Sequence, residues 1–126
     1  MSVDSRIYVG LTLELGTKLN HNDFTRLHAL DDKYPEIEED RYHTEDREGK
    51  LLLVYDGMCG DFARLIYVDK FIEGGSLGDT NEFIELPAKA DYDPEVVKKM
   101  FDIYEEYTGQ RPKAEDFKYA MWSQWY

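Results

Sequence analysis

"IYVGLTLEL", Ile7 to Leu15, is the stretch on which the fold turns. Ile7, Val9, Leu11, Leu13 and Leu15 alternate with Tyr8, Gly10, Thr12 and Glu14. An extended chain sends successive side chains to opposite faces, so this spacing predicts a half-buried strand. Gly16 ends the run. A strand with one apolar face needs partners along its edges and a layer over that face.

Working outward, "LNHNDF" supplies a helix start. With Asn20 as N-cap, Asp23 falls at N3 and bonds back to the cap. Leu19 and Phe24 then occupy the two positions of a hydrophobic staple. The helix should bury Phe24, Leu27, Leu30 and Tyr34, and Pro35 should stop it. Two strand-like runs follow, "KLLLVYD" and "FARLIYVDKFIE", joined by "DGMCGD". Asp56-Gly57 and Gly60-Asp61 give that link turn chemistry, so the runs read as a hairpin. A further strand is expected around Arg41 to Thr44, turning back at Glu48-Gly49. "GGSLGDTN" reads as a loop, and "EFIELP" as a short edge strand closed by Pro87.

The last third reads as helical. Asp93 is a good N-cap, Pro94 suits the first helical position and Glu95 suits the positive end of the helix dipole. Val96, Val97, Met100, Phe101, Tyr104 and Tyr107 form an apolar stripe at helical spacing, and Gly109 is a natural terminator. A second helix is expected from about Pro112 to Trp122, with Phe117 and Met121 one turn apart. The expected class is α+β. An antiparallel sheet of four or five strands carries one helix after its first strand and two C-terminal helices, packed on one face.

The totals bound the function. The chain has 126 residues, enough for one domain, and 42% of them are apolar. Its formal net charge is −12, from 15 Lys and Arg against 27 Asp and Glu. Such a surface repels phosphate backbones and anionic lipid headgroups, so direct nucleic-acid or membrane binding is disfavoured and basic partners are favoured. Cys59 is the only cysteine, which fits a reducing cytoplasm. The opening "MSVDSRIYVG" lacks a basic region followed by an apolar core, so no signal peptide is expected.

The motifs that suggest chemistry have simpler explanations. Gly74, Gly75, Ser76, Leu77 and Gly78 match the pattern of a hydrolase nucleophile elbow. That elbow joins a strand to a helix, whereas "DTNEFIELP" reads as loop and strand. His21, His28 and His43 lack metalloprotease spacing. Asp56 and Asp61 flank a turn without calcium-loop spacing. Cys59 lies between acids, which disfavour a reactive thiolate. No catalytic residue, metal ligand or cofactor is expected. The alternative is a small metal- or nucleotide-binding enzyme that uses the Gly74 to Gly78 loop and nearby acids.

Charge is the stronger signal. "EIEEDRYHTEDRE", Glu36 to Glu48, holds seven acids and two arginines. "DYDPEVVKKMFDIYEE", Asp91 to Glu106, holds six acids and two lysines. The candidate partner-binding set is Glu36, Glu38, Glu39, Asp40, Glu45, Asp46, Glu48, Asp102, Glu105 and Glu106. Trp125 and Tyr126 are added to it as aromatic interface anchors, and a homodimer contact is the other use for that pair. A short, single-domain, strongly acidic chain with these two runs resembles small phage-encoded inhibitors of host defence, such as anti-CRISPR proteins and DNA mimics. That resemblance implies a protein–protein contact in the host cytoplasm, on the basic nucleic-acid-binding surface of a nuclease or a similar host protein.

Overall fold

The computed structural model describes residues 5–37, 48–55, 60–73, 83–87 and 92–125. In chain order the elements are β1 (Ser5–Gly16), α1 (His21–Lys33), β2 (Leu51–Tyr55), β3 (Ala63–Glu73), β4 (Phe83–Glu85), α2 (Pro94–Thr108) and β5 (Phe117–Trp125). Single 3-10 turns lie at Pro35–Ile37 and Ala114–Asp116. The strands form one antiparallel sheet in the order β2-β3-β1-β5-β4. The class is α+β, as the sequence indicates.

β1 is the middle strand, and both faces of its central part are covered. Leu11, Leu13 and Leu15 lie in the core beneath the helices. On the opposite face Tyr8 is fully buried and Thr12 is 2% exposed, so the half-buried strand expected from alternation is buried on both sides. Thr12 meets its polar requirement by donating its hydroxyl to the Lys118 carbonyl at 2.8 Å. Leu52, Val54, Phe62, Ile66 and Val68 join Tyr8 in a second core cluster. Glu14 and Arg64 face each other across the β1–β3 pair, with Arg64 Nε donating to Glu14 Oε2 at 2.6 Å.

The β1–β3 register slips between Val9 and Gly10, which leaves Asp69 as an extra residue in β3. The strands approach so closely there that a Cβ on Gly10 would sit 1.9 Å from the Tyr67 carbonyl oxygen. Gly10 is therefore required by space.

The helices begin and end where their caps dictate. The Asn20 side chain accepts from the Asp23 N–H, and the Asp23 carboxylate accepts from the Asn20 N–H, each at 2.9 Å. Leu19 and Phe24 both pack against the main core. α1 buries Leu27 and Leu30, and the chain turns out of the helix ahead of Pro35. In α2, Asp93 caps the Glu95 N–H at 2.9 Å, and Gly109 ends the helix in the left-handed region at φ 74°. Met100, Ile103 and Tyr107 form the buried line of α2, with Met100 and Ile103 each contributing roughly 1.5–3 kcal/mol of burial. Both helices pack on one sheet face, sharing a core with Leu53, Tyr55 and Leu65.

One expected element is overturned. The helix from Pro112 to Trp122 is absent: a 3-10 turn at Ala114–Asp116 leads into β5. The Lys113 N–H is taken by the Asp116 carboxylate at 2.7 Å, which closes that turn locally. Phe117, Tyr119 and Met121 also alternate with period two, and aromatic residues favour a pleated surface. The exposed edge of β1 decides the matter, because it gains a continuous ladder from Ser5↔Trp125 to Leu13↔Phe117. β4 pairs with β5 at the sheet edge, as expected for "EFIELP". β2 and β3 form the expected hairpin, although its Asp56-Gly57 turn lies outside the described residues. The strand expected around Arg41 to Thr44 also lies outside them.

Candidate functional site

The end of α1 meets the C-terminal half of α2. Lys33, in the last turn of α1, donates through Nζ to the Glu106 carboxylate. Tyr34, at the C-cap, lies in electrostatic reach of the same carboxylate and of Asp102. Burial, followed by these two carboxylates, pushes the Tyr34 phenol above its usual range. The Lys33 hydrogen bond holds Glu106 below the usual carboxylate range. Directly beyond Tyr34, the first acidic stretch begins at Glu36. Its neighbour Ile37 is fully buried in the main core and fixes that segment against the helices.

Tyr34 thus stands beside Glu106 and near Asp102 of α2, and of the first acidic stretch only Glu36, Ile37 and Glu48 fall within the described residues. The structure does not bring every expected carboxylate there. Glu48 lies elsewhere, near β3, where its side chain accepts from the Phe71 N–H at 3.4 Å. Glu38, Glu39, Asp40, Glu45, Asp46 and Tyr126 lie outside the described residues. Trp125 is the last residue of β5, opposite Ser5.

Cations of the chain already touch this surface. Arg111 Nε lies 3.5 Å from Glu105 Oε2, and its guanidinium stands 5.5 Å from the Phe101 ring centre. Arg26 donates to the Tyr107 carbonyl and lies over that ring at 4.3 Å. A groove of about 220 Å³ between the helices is lined by Arg26, Ala29, Leu30, Lys33, Glu106 and Tyr107. Exposed ion pairs of this kind contribute roughly 0–1 kcal/mol and are readily exchanged for other partners.

A larger apolar cleft opens beside α2. Its volume is about 490 Å³, within the range of about 300–1,000 Å³ typical of binding clefts. Val97 and Phe101 of α2 form one wall, and Phe117 and Tyr119 of β5 form another. Leu11, Tyr92, Pro112 and Ala114 complete it. Tyr92 stands edge-on to Tyr67, with ring centres 6.5 Å apart. Burial, followed by the nearby Asp69 carboxylate, pushes the Tyr92 phenol well up. Sequence reasoning missed this cleft because it assigned Phe117 to a helix and Phe101 to the core stripe of α2. The alternation of Phe117, Tyr119 and Met121 was the available signal.

Among the described residues, no group of three or more His, Cys, Asp or Glu side chains is placed to hold a metal ion. His28 lies with Nδ1 3.4 Å from the Tyr55 hydroxyl, which also donates to Asp31 at 3.3 Å. His43, Asp56, Cys59 and the Gly74 to Gly78 loop are outside the described residues. Among the described residues, no helix is long and apolar enough to cross a membrane. No family model, characterised protein or solved structure matches the chain.

Proposed function

We propose that this protein is a non-catalytic binding module whose carboxylate-bearing helical layer docks on a basic surface of another protein. The observation that supports the reading is the acidic end of α2, where Asp102 and Glu105 are exposed and Glu106 lies beside Tyr34, two residues before Glu36 in the chain. A net charge of −12 adds long-range attraction to any cationic groove and speeds the encounter. The partner surface that fits is one that normally holds phosphates with Lys and Arg, as in a nuclease or another nucleic-acid-binding protein. A phage-encoded inhibitor of a host nuclease is the specific form of this reading.

Competition tests it. Increasing amounts of the purified protein are added to a basic nucleic-acid-binding partner loaded with labelled DNA or RNA. Displacement of the nucleic acid, weakening as salt rises, is the expected result. Tight binding that leaves the nucleic acid in place would remove the inhibitor reading.

A further inference from the structure

We draw no further inference here: the strongest candidate, the apolar cleft of about 490 Å³ between α2 and β5, carries nothing, because acids and lysines adjoin its lining residues alike and nothing in the structure shows what covers it.

Discussion

Glu106 and Lys33 are joined across the seam between the two helices, where Lys33 Nζ donates to the Glu106 carboxylate. The Lys33 hydrogen bond lowers the pKa of Glu106 in the folded chain. Its contribution to stability is therefore complete above the unfolded carboxylate value and is lost as pH falls through the folded one. Glu14 behaves in the opposite way. Burial raises it despite the nearby Arg64. The folded chain holds that proton more tightly, so this group adds stability as pH falls through its folded value. Carbon-13 titration of the side-chain carboxyls should place the Glu14 midpoint above that of Glu106. The reverse order would contradict the partial desolvation of Glu14 beside Arg64, where its side chain is still 39% exposed.

Two glycines should fail for different reasons. At Gly10 an added methyl collides with the Tyr67 carbonyl, so Gly10→Ala must force β1 and β3 apart. A loss of about 2–3 kcal/mol or more is expected in chemical denaturation. At Gly109 nothing lies within 4 Å of the added carbon, and only the positive φ of 74° opposes it. Gly109→Ala should cost about 1–2 kcal/mol. Equal losses would mean that the bulge at Asp69 does not constrain Gly10.

The start of α1 rests on the reciprocal bonds of Asn20 and Asp23. Asn20→Ala should lower stability by about 1 kcal/mol, and Asn20→Ser should restore most of it. Thermal melts of the two variants check this. Identical losses would show that the cap side chain is not what holds the helix start.

Within α2, Ile103 is fully buried whereas Phe101 lines the cleft. Ile103→Ala should cost about 2–5 kcal/mol, the range for emptying a packed site. Phe101→Ala should cost less, because part of its ring gives up no packing. Urea midpoints rank the two, and a larger loss at Phe101 would place it in the core after all.

Local signals in the sequence decide the structure where one short stretch carries the whole instruction. The Asn20/Asp23 box, Asp93-Pro94, Gly109 and the Leu51 to Glu73 hairpin all fall where their residues put them. Local signals conflict where two periods overlap. Phe117 and Met121 are four apart, which fits a helix, and Phe117 and Tyr119 are two apart, which fits a strand. The choice is made by the open edge of β1, more than 100 residues away in the chain, since Thr12 reaches Lys118 across a separation of 106. The same non-local pairing creates the apolar cleft, so the cleft was hidden as well. Charge blocks were legible, but the placement of Asp102 and Glu106 beside Tyr34 was not, because it depends on where α2 meets α1.

The most direct measurement compares wild type with Asp102→Lys/Glu105→Lys against a purified basic nucleic-acid-binding partner at low and high ionic strength. Both positions lie on the exposed surface of α2, so the fold should persist. The account predicts that wild-type binding weakens as salt rises and that the double variant binds at least about tenfold more weakly at low salt. Equal affinity for the two proteins, unchanged by salt, would contradict it.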